Sequence, residues 1–302
     1  MTIDPDHRVV VLCNDAWRHR YFANRLSQCF HVVGVVNERM RPHLGLGFAR
    51  RTSELARAFK FNPALMSAKL ACRALELWRG RGVYERILGP LGARFQLPPT
   101  AEHLRLESSI NLPRNVERIA ALRPDVIVVS GARLLSRAII DLPTKAAINM
   151  HGGLSPYYRG GDSVFWALYN REPQFVGVTI HLLTLGIDAG PLIYTARPTF
   201  TADDDEMTLF AKIYRLGCEL MVCAVEDALQ DRLDPVPQWE KGRLYYRKDR
   251  RWRHYRELVR ILEAGLLAEY LRSPPDDAHI RLAGAPARRA AARCAAEMED
   301  PR

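Results

Sequence analysis

The sequence predicts an α/β fold: a mostly parallel sheet with helices on both faces, followed by a short, mainly helical C-terminal extension. Three observations carry this. Continuous apolar runs of strand length at 8–13, 31–36 and 124–129 lack the alternation of a half-exposed sheet, which marks strands buried on both faces. Segments of helical period fall between such runs, and parallel neighbours need crossovers of that kind. Polar and glycine-rich residues then cluster after strand ends, where α/β proteins place ligand-binding loops.

In order, Arg8-Val-Val-Val-Leu-Cys13 is the first strand, 17–29 a helix and His31-Val-Val-Gly-Val-Val36 the second strand. The stretch 37–100 interrupts this rhythm. Within it, 53–78 reads as one or two helices with Leu55, Phe59, Leu65, Leu70 and Leu77 as the apolar stripe. Gly45-x-Gly47 lacks the third glycine of a dinucleotide fingerprint and follows the second strand rather than the first, so it is read as a loop. The sheet resumes with a helix at 115–122, the strand 124–129, a short helix at 136–141 and the strand Ala146-Ala-Ile-Asn149. A helix at 164–170 precedes a strand pair at 177–183 and 191–195, and 205–229 closes the main domain as one long helix. After Asp234 the character changes. Gly242-Arg-Leu-Tyr-Tyr246 adds a short strand, 255–271 is one amphipathic helix, and the Ala- and Arg-rich stretch from Gly284 is expected to fray. The division expected is therefore 1–233 for the main domain, with a helical insertion at about 40–92, and 234–302 for the extension.

The 302 residues, 48% hydrophobic and 26% charged, have the composition of a soluble globular protein. A net charge of +10 suits an anionic partner, and the densest basic tract is Arg247-Lys-Asp-Arg-Arg-Trp-Arg253. A solvated helical face explains that tract equally simply. The six cysteines form no CxxC pair, which fits a reduced, cytoplasmic setting, and neither a signal peptide nor a membrane-spanning run is visible.

Chemistry concentrates in two places. The first is Asn149-Met-His-Gly-Gly-Leu-Ser-Pro-Tyr-Tyr-Arg-Gly160, where Asn149 and His151, two apart at a strand end, can share one side. The second is Gly177-Val-Thr-Ile-His-Leu-Leu-Thr-Leu-Gly-Ile-Asp-Ala-Gly-Pro191, which puts Asp188 in a Gly-bounded turn with His181 on the strand leading in. Each residue alone has a bland reading: Asn149 and Asp188 as turn residues, His151 as an ordinary histidine. A zinc site lacks a second His or Cys at ligand spacing. Together the clusters supply an amide, an imidazole and a carboxylate.

These ordered motifs resemble the core of the 10-formyltetrahydrofolate-dependent formyltransferases, a family that includes glycinamide ribonucleotide, methionyl-tRNA and sugar-nucleotide enzymes. The similarity runs from about Val9 to Phe200 and is densest from Pro124. It implies a Rossmann-like sheet of the formyltransferase type, with Asn149, His151 and Asp188 as the catalytic triad. In that role Asn149 and His151 are donors to a tetrahedral oxyanion, while Asp188 tunes the imidazole and relays a proton. It further implies folate contacts at Arg133, Leu134, Leu135, Leu183, Ile187 and Asp188, and contacts to the acceptor at Tyr158, Arg159, Gly160 and His181. The co-substrate implied is 10-formyltetrahydrofolate, with no metal.

The sequence departs from the family pattern at Gly152-Gly153, where Pro-Ser or a similar pair is usual, at Ser155 before Pro156, and in the long 37–100 stretch. The layout is closest to enzymes that formylate amino-sugar nucleotides or small natural-product amines, with Arg159, Arg247 or Arg250 available to a diphosphate. A second copy in a homodimer is left open; membrane and nucleic acid are not expected as partners. Methionyl-tRNA formylation, formyltetrahydrofolate hydrolysis and non-catalytic folate binding are the alternatives.

Overall fold

The computed structural model describes residues 4–38 and 82–284. Its main sheet comprises β1 (Val9–Cys13), β2 (Val32–Glu38), β3 (Glu102–Leu106), β4 (Val126–Ser130), β5 (Ala146–His151), β7 (Val178–Leu182) and β8 (Leu192–Ala196). A parallel pair, β6 (Tyr158–Gly160) with β9 (Arg243–Tyr245), stands apart from it. The order is β3-β2-β1-β4-β5-β7-β8, the first five parallel and β7 antiparallel to both neighbours. This is the mostly parallel α/β architecture that the apolar runs predict.

Side-chain alternation explains why those runs are apolar throughout. Val9, Val11 and Cys13 of β1 and Val126 and Val128 of β4 enter one core, with Phe22 and Leu26 of helix α1 (Trp17–Cys29) and Leu209, Ile213 and Leu220 of a long later helix. Val10, Leu12, Ile127 and Val129 enter the other, against Ile119 of α2 (Pro113–Ala121) and Ile139 of α3 (Arg137–Ile140). Each fully buried Val, Leu or Ile contributes roughly 1.5–3 kcal/mol, so the central strands are the main source of stability. After α4 (Ser163–Tyr169), the long helix is α5 (Glu206–Leu229), started by Asp205, whose carboxylate accepts from the Met207 and Thr208 N–H groups. Glu219 of α5, completely buried, meets Arg25 of α1 through a two-toothed contact of 2.6 and 2.8 Å.

The structure differs from the sequence expectations at three points. The helix expected over 255–271 is two, α6 (Trp252–Glu263) and α7 (Leu266–Arg272), broken at Gly265, whose φ of +88° a helix cannot contain. The edge strand β3 carries only Leu104 and Leu106 as buried side chains among polar neighbours, too weak a pattern to read. The strand expected to end at Asn149 runs on to His151. The helices expected over 53–78 and the Gly45–Gly47 loop lie outside the described residues, as does the chain beyond Gly284. Among the described residues, no helix is long and apolar enough to cross a membrane.

Candidate active site

The site is a consequence of strand register. On β5, Ile148 and Met150 face the core shared with α1 and α5, which puts Asn149 and His151 together on the opposite face. On β7, Val178 and Ile180 face that same core, so Thr179 and His181 emerge beside them. The antiparallel pairing sets Asn149 opposite His181 and His151 opposite Thr179. Asp188 arrives from the loop joining β7 to β8. It has φ of +45°, a left-handed conformation that Asp tolerates better than most residues. The loop returns so tightly that a side chain at Gly190 would sit 1.7 Å from the Leu182 carbonyl oxygen.

Three polar side chains and one backbone amide converge on the Asp188 carboxylate. Oδ2 lies 3.2 Å from His151 Nδ1 and accepts the Gly160 N–H at 2.9 Å. Oδ1 lies 3.5 Å from His181 Nε2 and accepts from Asn149 Nδ2 at 3.4 Å. Gly160 can approach because it has φ of +86° and no Cβ to strike the Tyr245 carbonyl. Burial by itself would lift the carboxyl's pKa; His151, then His181 and the Gly160 N–H, outweigh it and hold Asp188 well below the usual carboxylate range.

Protonation follows from who faces whom. The other nitrogen of His151, Nε2, lies 2.9 Å from the Tyr158 carbonyl and 3.3 Å from Ser163 Oγ. With a carbonyl at one ring nitrogen and an ionised carboxylate at the other, an imidazolium satisfies both contacts and neither neutral tautomer does. His181 differs: Nδ1 donates to the Leu182 carbonyl at 2.8 Å, leaving Nε2 to accept from Asn149 Nδ2 at 3.0 Å. The result is a buried carboxylate, an imidazole contacted at both ring nitrogens and an amide on one face, at the end of the sheet where its parallel strands finish. Among the described residues, no group of three His, Cys, Asp or Glu side chains is placed to hold a metal ion.

Residues 89–225, which contain all of Asn149, His151, His181 and Asp188, match the family model described as formyl transferase. Over that segment the chain is similar to the formyltransferases. Among curated formyltransferases it is 32% identical over 189 residues to the methionyl-tRNA formyltransferase of Halorhodospira halophila, covering 61% of this chain and 60% of that one. It is 29% identical over 162 residues to the enzyme of the same name from Trichlorobacter lovleyi, covering 51% of each. The chain thus spans about half the length of the curated relatives it matches. Among solved formyltransferases, a 4-N formyltransferase from Francisella tularensis superposes with a TM-score of 0.52 at 14% identity, over 84% of this chain and 87% of that one. An N-formyltransferase from Helicobacter canadensis, crystallised with folinic acid and dTDP-3-aminofucose, superposes at 0.50 and 11% identity, over 85% and 80%. At such identities these two establish the shared fold.

Around this centre the remaining expected residues are placed unevenly. Leu134 is exposed on the loop after β4, whereas Leu135 is buried in the core beside α2 and α3. Arg133 lies 3.4 Å from Glu38. Leu183 is tied by its N–H to the Ala147 carbonyl, and Ile187 is half-buried in the loop leading to Asp188. Tyr158 reaches the site only through its backbone carbonyl. Its ring is buried, stacked on Tyr245, and its hydroxyl bonds Glu172, Asn170 and Arg243. Arg159 Nε is buried with no hydrogen-bond partner among the described residues. Arg247 packs against Gly161 with the base of its side chain and its backbone.

Arg250 corrects an expectation: it is not available to a diphosphate, because its guanidinium forks onto Glu206 at 2.7 and 2.8 Å and lies over the Phe165 ring at 4.1 Å. Burial, with Asp162 and Asp205 nearby, pushes the Glu206 carboxyl up to about 7 despite that partner. The departure at Gly152-Gly153 also acquires a reason. A Cβ on Gly153 would lie 2.4 Å from His151 Nε2, and one on Gly152 would lie 2.9 Å from the Phe210 ring. Two polar neighbours escaped the sequence reading. Ser163 falls one residue ahead of the helix expected at 164–170, and Gln238, outside the matched segment, lies in a stretch without motif or period.

Proposed function

We propose that the protein transfers the formyl group of 10-formyltetrahydrofolate to the primary amine of a small acceptor, an amino-sugar nucleotide or a natural-product intermediate. The observation that carries this is the convergence of Asn149, His151 and His181 on the buried Asp188 carboxylate. In the reaction the amine nitrogen bonds to the formyl carbon and its carbonyl oxygen becomes an oxyanion. The carbon–nitrogen bond to the folate then breaks, and the amine's proton passes to the departing folate nitrogen. Donors aimed at the oxyanion lower that barrier, each by a few kcal/mol.

Asn149 is the donor most readily released, because its 3.4 Å bond to Asp188 is long and weak. His151 holds its charge against Asp188 and the Tyr158 carbonyl, and its field favours the oxyanion beside it. Asp188, held ionised, balances that charge and accepts the amine's proton for transfer to the folate. The exposed Leu134 and Leu185, on the loops after β4 and β7, offer apolar surface to the pterin ring, with Arg133, Leu183 and Ile187 beside them. Arg159, a cation without a hydrogen-bonded Nε, and the Gly160 loop suit an acceptor that carries phosphate.

The names of the sequence relatives favour a second reading, formylation of an aminoacyl-tRNA. The exposed Arg251, just ahead of α6, and Trp252, Arg253 and Arg256 on it would be its docking residues. One experiment separates the two. The purified protein is given 10-formyltetrahydrofolate with a panel of amino-sugar nucleotides, small amines and charged initiator tRNA, and products are read by mass spectrometry. Formylation of a sugar nucleotide or small amine is the expected result. Product on tRNA alone rejects the acceptor class, and formate released equally with and without amine rejects the transferase.

A further inference from the structure

The turn that carries Asp188 is held from outside the matched formyltransferase segment. Val236 forms a two-bond antiparallel bridge with Leu192, at 2.8 Å in each direction. Two residues further on in each chain direction, that register sets Gln238 against Gly190. Its side-chain Nε2 donates to the Asp188 carbonyl at 2.8 Å and to the Gly190 carbonyl at 2.9 Å, straddling Ala189. Both amide hydrogens are thereby spent on two groups that only accept. The side chain cannot flip, because its own oxygen would then face two carbonyl oxygens. Gln238 Oε1 is buried and has no hydrogen-bond partner among the described residues, a cost tolerated for the two bonds on the other side.

The turn needs such a tether. Asp188 is a non-glycine residue at φ of +45°, with its carboxylate held by His151 and the Gly160 N–H and its backbone carbonyl held by Gln238. A residue in that region of backbone space persists when its surroundings fix it. The carboxylate contacts do so at the side chain; at the backbone, Gln238 grips the turn's peptide units.

We infer that Gln238 is a positioning residue: its amide clamps the Asp188–Gly190 turn and so fixes the carboxylate against His151. This rests on the reading of Asp188 as part of the reacting centre. It makes the segment after α5 a working part of the site.

The test uses Gln238→Glu, which sets a carboxylate against two carbonyl oxygens, and Gln238→Met, which removes the bonds while keeping the shape. Both are combined with Asp188→Asn. Hydrogen–deuterium exchange of the 183–191 peptide, without any substrate, should rise about ten-fold in both variants. The kcat for formyl transfer should fall about ten- to a hundred-fold, as expected when a reacting group is misplaced by an ångström, while KM for the folate moves less than about three-fold. On an Asp188→Asn background the same substitutions should cost nothing further, because the group they position is gone. Unchanged exchange in both variants overturns the clamp whatever the activity, and so does a loss in kcat that adds in full to that of Asp188→Asn. A wild-type protein that transfers no formyl group while exchange responds as expected counts against the functional reading alone and supports the clamp. If Gln238→Glu does not fold, Gln238→Met carries the same comparisons.

Discussion

Replacing Asp188 by Asn isolates the charge of the carboxylate, because the two side chains have nearly the same shape. Asn can still accept the Gly160 N–H, but His151 Nδ1, 3.2 Å away, loses its anionic partner. Two unit charges at that separation attract by roughly 5 kcal/mol at an effective dielectric constant of about 20. Removing both groups from water takes back a large part of this in folding, since the Asp188 and His151 side chains are only 16% and 6% exposed. In the reaction proposed above the carboxylate does more: it balances the imidazole beside the developing oxyanion and takes the amine's proton. A loss of about a thousand-fold in kcat, about 4 kcal/mol, falls inside the gross attraction and within the usual range for acid–base groups. The assay is initial-rate formation of tetrahydrofolate with a confirmed amine acceptor, with circular dichroism to show that the variant is folded. A folded Asp188→Asn protein within about three-fold of the wild-type rate would show that the carboxylate's charge is not needed. The pH dependence has a definite sign. Because the folded-state pKa of Asp188 is depressed, its contribution to stability is full above the ordinary carboxylate range and is lost as pH falls toward the folded value. The stability gap between wild type and Asp188→Asn should therefore be constant near neutrality and shrink below about pH 4.

The other expectations follow from single contacts. Gly153→Ala puts a Cβ 2.4 Å from His151 Nε2 and 2.5 Å from Ser163 Cβ; thermal unfolding should show a loss of about 1–3 kcal/mol, and kcat should fall with it. Arg25→Ala leaves the buried Glu219 carboxylate without its fork, and denaturant titration should show about 3–5 kcal/mol of destabilisation, against much less for the doubly apolar Arg25→Met/Glu219→Leu. Glu206 has the opposite sign from Asp188. Its folded pKa of about 7 lies above its ordinary value of 4.5, so stability should fall as pH rises through that window, and Glu206→Gln should flatten the trend in unfolding midpoints. Cys13, whose thiol burial pushes up to about 12, should resist iodoacetamide at pH 8 until the protein unfolds.

Much of this architecture is legible in the residues because the central strands are buried on both faces and carry continuous apolar runs. Val9 to Cys13 and Val126 to Val129 could hardly be anything else. The first pair of site residues is legible for a related reason: a two-residue spacing on a strand puts Asn149 and His151 on one face whatever the rest of the chain does. Asp188 is legible only as a residue in a turn, since its meeting with His151 depends on how the loop folds back. Gln238 and the Tyr158 carbonyl are not legible. One reaches the site through a two-bond bridge between Leu192 and Val236, the other through its backbone, and neither leaves a mark in side-chain pattern. Arg250 misleads for a similar reason. An arginine in a basic tract looks free for a phosphate until the fold brings Glu206 to meet it.

Formyl transfer from folate to an amine is the proposed activity of this chain. The direct measurement is a mass-spectrometric one: wild type and His151→Ala incubated side by side with 10-formyltetrahydrofolate and amino-sugar nucleotides. The wild type should yield an acceptor heavier by one formyl group and an equal amount of tetrahydrofolate, and folded His151→Ala should yield neither. Equal product from both proteins, or folate bound with no formylated amine from any acceptor, would contradict the account.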